Sequence, residues 1–154
     1  MKKIVIIGGS IILVLALVAF IGMLGSGILP VGFGMHDNVS QTDGLALNGY
    51  DVVTYFEGEP LMGYPEFTSE YAGATWQFHL LKHKEFFDAA PETFLPEFGG
   101  HCSLAMSTGF AVEGEPTSYE IINDKLYIFS EDGVKATFME DVDASIKACN
   151  ANWK

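Results

Sequence analysis

From Ile4 to Leu24 the chain reads "IVIIGGSIILVLALVAFIGML", apolar apart from its glycines and one serine. That length matches the ~20 residues needed to cross a bilayer core as a helix. It sets the start of the 154-residue chain aside and leaves enough length for one domain. Lys2 and Lys3 precede the run and every acidic residue follows it, so the positive-inside rule puts the N-terminus in the cytoplasm. The expectation is a single-pass anchor over 1–24 in the inner (cytoplasmic) membrane, with the remainder on the periplasmic or extracellular side. The alternative is secretion after signal cleavage. Signal cores run to roughly 7–15 apolar residues and end at an Ala-x-Ala-like site. Here the run is longer, and the "GSGILPVGFGM" that follows has no such site.

Beyond the anchor lie six lysines, no arginine and all twenty acidic residues, a formal charge of −14. That balance repels phosphate backbones and excludes nucleic-acid binding as the chain's business. It suits solubility first, and attraction of cations, metal ions included, second. Cys102 and Cys149 are the only cysteines. An even count in an oxidising compartment is compatible with a disulfide, but sequence separation gives that pairing no geometric support.

Residues 25–44, with five glycines, one proline and then "HDNVSQTDG", read as a flexible linker, His36 being a solvated residue within it. The domain spans 45–154. "DVVTYF", rich in β-branched and aromatic residues between Gly49 and Gly58, predicts a strand. "EFTSEYAGATWQFH" predicts a hairpin turning at Ala72-Gly73. A helix follows from Leu80 or Leu81, ended by Pro91. "FGGHCSLAMSTG" predicts a short helix through Met106. "SYEIINDKLYIFS" has two alternating apolar runs around Asn123-Asp124, hence a second hairpin. Val134, Phe138, Val142 and Ile146 recur every four residues, predicting one amphipathic helix with Ser130 as its N-cap. The expected class is α+β: short antiparallel hairpins and a few helices behind one transmembrane segment.

Several ordered motifs carry a resemblance: "LNGYDVVTYFEGEPLMG", "YAGATWQF", "PETFLPEFGGHC", "NDKLYIF" and the closing "ANW". Together, over Leu45 to Trp153, they resemble the YHS domain family, in particular its exported branch of small single-domain proteins. YHS domains accompany copper- and heavy-metal-transporting ATPases and some multicomponent hydroxylases, so the resemblance implies a metal-related role. The metal-associated branch carries Phe-Cys-Ser-x-x-Cys, then Pro-x-x-Tyr/Phe. Laid on this chain, Phe78 matches the first aromatic and Phe94 the last, while His79 and His83 occupy the two cysteine positions. The exported branch has Gly-Gly-Tyr-Cys where this chain has Gly-Gly-His101-Cys102, and some members are thought to carry selenocysteine there.

The chemistry-bearing residues are therefore His79, His83, His101 and Cys102. Imidazole and thiolate both serve zinc and copper, imidazole tolerating Cu(II) and thiolate favouring Cu(I). Two histidines alone are an incomplete site, since mononuclear centres need three or four ligands. The plain structural alternatives are an edge-strand His79, a solvated His83 between Lys82 and Lys84, and a buried Cys102. A cysteine at a helix start can instead be a reactive thiolate, with Cys149 as a possible partner thiol or a core residue. No nucleophile elbow, P-loop, dinucleotide fingerprint or zinc-protease motif is present, so no catalytic residue is assigned. The leading expectation is a membrane-tethered extracytoplasmic domain binding or handing over copper or zinc. Cys102 would be the principal ligand and His101, His79 and His83 the others. The alternatives are a thiol redox protein using Cys102, or an interaction module without chemistry.

Overall fold

The computed structural model describes residues 15–23, 25–34 and 36–153. The expected span 4–24 lies in large part outside these residues. Its described stretch, 15–23, is helical, with Leu15, Leu17, Val18 and Ile21 exposed. Among the described residues no helix is long and apolar enough to cross a membrane.

The rest is a mixed α+β arrangement built on two hairpins. Strands β4 (Tyr64–Tyr71) and β5 (Ala74–Phe78) pair antiparallel through a turn in which Ala72 and Gly73 both have positive φ, 53° and 85°. Strands β7 (Glu115–Ile122) and β8 (Lys125–Phe129) pair through Asn123 and Asp124, φ 53° and 61°. Two consecutive left-handed residues are what a two-residue turn needs to match the twist of its strands. β3 (Leu45–Ala46) lies parallel to β5 and antiparallel to β2 (Gln41–Thr42), giving the order β2-β3-β5-β4.

Strand β8 divides two cores. Successive side chains point to opposite faces of a strand. Leu126 and Ile128 accordingly pack with Val52, Tyr55, Trp76, Phe78 and Phe87, while Tyr127 and Phe129 pack with Phe98, Met106, Phe138 and Cys149. Helix α1 (Leu81–Ala89) covers the first core, setting Phe87 against Trp76 and Phe78 at 5.2 Å each. Helices α2 (Ser103–Ser107), α3 (Asp132–Met139) and α4 (Val142–Asn152) enclose the second.

Three local expectations are corrected. "DVVTYF" is not a strand: residues 52–53 turn and Thr54–Glu57 form a 3-10 helix. The Asp51 carboxylate accepts the Val53 N–H at 2.9 Å, and Thr54 Oγ donates to the Asp51 carbonyl at 2.7 Å. Such side-chain bonds give the backbone an alternative to a sheet ladder, and here they outweigh β propensity. The single C-terminal helix is two, broken at Glu140 and Asp141, where Asp141 caps α4 by accepting the Ala144 N–H at 3.1 Å. Ser130 caps neither, Glu131 preceding α3 without a side-chain bond.

The segment 25–44 also differs from a free tether. β1 (Leu29–Pro30) pairs with β6 (Phe110–Ala111), Val31 and Val39 are buried, and the Ser40 N–H donates to the Gly99 carbonyl at 2.8 Å. His36 is not solvated in isolation but stands 5.1 Å from the Trp153 ring. Two buried valines and a row of backbone bonds hold this strap down, a pattern with no periodicity to betray it in the sequence.

Candidate functional site

The chain places a carboxylate where water does not reach. Asp51 is 0% exposed. One oxygen, Oδ1, accepts the Val53 N–H; the other, Oδ2, accepts the backbone N–H of His79 at 2.7 Å and lies 2.6 Å from Nδ1 of His83. Desolvating a carboxylate is costly unless its lone pairs are filled, and three donors fill these. The Asp51 turn, the end of β5 and the first turn of α1 therefore converge on one side chain.

His83 takes part because of its place in α1. Four residues before Phe87, it shares that residue's inward face and is 3% exposed, while Lys82 and Lys84 on either side point elsewhere. Lys82 lies over the Phe86 ring and Lys84 bridges to Asp88. A carboxylate can only accept, so Nδ1 carries the proton and donates it to Asp51. In the neutral ring this leaves a lone pair at Nε2, which lies 3.5 Å from Oε2 of Glu57. The Glu57 side chain is 57% exposed, so the pair meets solvent on its side.

His79 joins the same neighbourhood through its backbone. Its half-buried ring donates from Nδ1 to the Met62 carbonyl at 3.0 Å and lies 5.1 Å from the Tyr64 ring.

His101 and Cys102 stand elsewhere, where α2 begins beside β8. Cys102 is 1% exposed; its N–H donates to the Val112 carbonyl at 2.8 Å and its thiol to Ser130 Oγ at 3.5 Å. Cys149, fully buried, donates its thiol to the Ser103 carbonyl at 3.1 Å. Both cysteines are free thiols. Burial pushes the Cys149 thiol up to about 12, and nearby Cys102 adds to that. His101, 7% exposed, donates from Nε2 to the Asp37 carbonyl at 2.9 Å, and among the described residues its Nδ1 has no hydrogen-bond partner. Burial holds the ring below the ordinary histidine value, with His36 adding to that effect and the Asp37 carbonyl opposing it.

The four expected ligands thus fall into two places, His79 and His83 around Asp51, and His101 and Cys102 beside Val112 and Ser130. Among the described residues, no three His, Cys, Asp or Glu side chains form a group that could hold a metal ion. Neither Asp51 nor Glu57 stands out in the sequence as a ligand. The one available signal is an Asp with a Thr three residues on, the pattern of a turn closed by side chains. No protein-family model matches the chain, and neither the curated proteins nor the solved structures include a match.

Proposed function

We propose that this chain is a membrane-tethered, extracytoplasmic metal-binding module whose centre is His83 with Glu57, Asp51 acting behind them. The observation that carries this reading is the position of His83 between two carboxylates. The buried one fixes the tautomer and aims Nε2, and the exposed one lies 3.5 Å from that nitrogen. A ring nitrogen donated to a carboxylate behind a metal-facing nitrogen is the arrangement that orients histidine ligands and raises their basicity. Two donors bound to one tetrahedral ion at ~2.0–2.1 Å stand roughly 3.4 Å apart, so the spacing suits a shared cation. Nitrogen and oxygen donors suit Zn(II) or Cu(II), with solvent completing the shell, and a two-donor site holds its ion loosely enough to pass it on. Residues 4–24 would hold the module to the bilayer.

The resemblance to YHS domains supports a metal-related role, with the centre moved from Cys102 to His83. The thiol redox alternative draws less support, because Cys102 and Cys149 are both sealed from solvent.

Calorimetric titration of the metal-free full chain with Zn(II) and Cu(II) tests the proposal. One ion per chain is expected, its binding lost in His83→Asn and weakened at least about tenfold in Glu57→Gln. Cys102→Ser should leave it unchanged. Equal binding in wild type and Glu57→Gln, or loss in Cys102→Ser alone, would overturn the assignment. Glu57 is exposed, so its variant keeps the fold intact as a control.

A further inference from the structure

Away from the Asp51–His83 hub, four chain segments enclose a groove of about 270 Å³: the strap at Asn38 and Val39, the β4–β5 turn, residues 92–99 and the end of α4. Both tryptophans of the chain line it, together with Phe98. The polar groups along it are the carboxylates of Glu92 and Glu97 and the amides of Asn38 and Asn150; the described lining residues include no lysine or arginine. The aromatic wall is fixed in place. Trp76 is 1% exposed and donates its Nε1–H to the Tyr71 carbonyl at 3.0 Å. Trp153 is braced by His36 at 5.1 Å and Phe98 at 6.1 Å.

We infer that this groove binds a small organic cation, an ammonium or guanidinium on a short apolar body. The half-buried Trp153 ring offers a negative face to a cation and area to its hydrocarbon part, with Trp76 and Phe98 buried beside it. The carboxylates supply the charge, and the −14 charge carried beyond the anchor raises the local concentration of cations. An anion finds no positive partner among the lining side chains. The volume suits something of the size of an arginine side chain and is small for a drug-sized ligand.

The two carboxylates are already partly engaged, and that gives the inference a distinctive handle. The Tyr71 hydroxyl donates to Glu92, and Lys125 Nζ lies 3.0 Å from Glu97 Oε1. Lys125 is 57% exposed and occupies by itself the charge position that a bound cation would share. Removing Lys125 therefore strengthens binding, whereas a merely sticky acidic surface would respond little to one lysine.

The full chain in detergent would be titrated with agmatine, N-acetyl-arginine amide and, as the neutral isostere, N-acetyl-citrulline amide. Tryptophan fluorescence supplies the readout, since both tryptophans line the site. Saturable change is expected with either or both cations and none with the citrulline compound. Binding by agmatine points to a free cation, and binding by the arginine amide alone to a peptide side chain. Lys125→Ala should tighten binding roughly fivefold, and Glu97→Gln should weaken it by a similar factor. An equal response to the citrulline compound, no saturable response to any cation, or indifference to both substitutions would overturn the inference. None of these outcomes bears on metal binding at His83.

Discussion

Nδ1 of His83 lies 2.6 Å from Oδ2 of Asp51, and both side chains are closed off from water. The relationship joins residues 32 positions apart and ties the Asp51 turn to the first turn of α1. It is both a structural bond and an aiming device. Breaking one partner of such a pair leaves the other buried and unmatched, which costs more than the bond contributes while intact.

Asp51→Asn separates these two roles. The amide keeps the shape of the carboxylate but loses its charge and can turn its NH₂ toward His83, reversing which ring nitrogen carries the proton. Stability should fall by roughly 1–3 kcal/mol, read as a lower urea midpoint at unchanged slope. Affinity for Zn(II) should fall about 10–100-fold. A variant with wild-type affinity and wild-type tautomer would show that Asp51 does not orient the ring.

His101 gives the fold an acid-sensitive point. Burial holds its pKa below the ordinary histidine value of 6.5, so the folded state excludes a proton that the unfolded chain accepts. The stability this contributes is present above about pH 6.5 and is lost as pH falls through the lower, folded value. The loss of unfolding free energy between pH 7.5 and 5.5 should be smaller in His101→Phe than in wild type. Identical pH slopes in the two proteins would rule out His101 as a source of that dependence.

Gly99 is where the strap meets the body. Its φ is +64°, and a Cβ placed there would lie 2.0 Å from the Asn38 carbonyl oxygen. Backbone cannot move aside as a side-chain tip can, so Gly99→Ala should cost roughly 2–4 kcal/mol. Limited proteolysis should cut the variant between residues 25 and 42 faster than wild type. Unchanged cleavage there would mean that the strap does not depend on this contact.

Where the sequence could be read, it was because a local pattern and a tertiary demand coincided. The hairpins at Ala72-Gly73 and Asn123-Asp124 pair turn residues with alternating apolar runs, and α1 ends by Pro91 as its spacing predicts. Reading failed where side chains bonded to the backbone. Asp51 and Thr54 turned an apparent strand into a 3-10 turn, and Asp141 cut a continuous apolar stripe into two helices. His79 and His83 were legible as a pair from their positions against the resembled motif. Their separate roles were not, because Asp51 lies 32 residues before His83 and nothing local announces the contact. Cys102 looked exposed to chemistry because it opens a helix, but β8 and the Val112 carbonyl cover it.

The most direct measurement is a long-range ¹H–¹⁵N spectrum of the histidine rings in the metal-free full chain, repeated during Zn(II) addition. Before addition, the spectrum should show His83 protonated at Nδ1. Saturating Zn(II) should then shift the His83 Nε2 resonance into the metal-bound range, and Glu57→Gln should require more metal to reach the same point. A His83 ring whose resonances stay put while zinc binds elsewhere, at Cys102 or nowhere, would contradict the central claim.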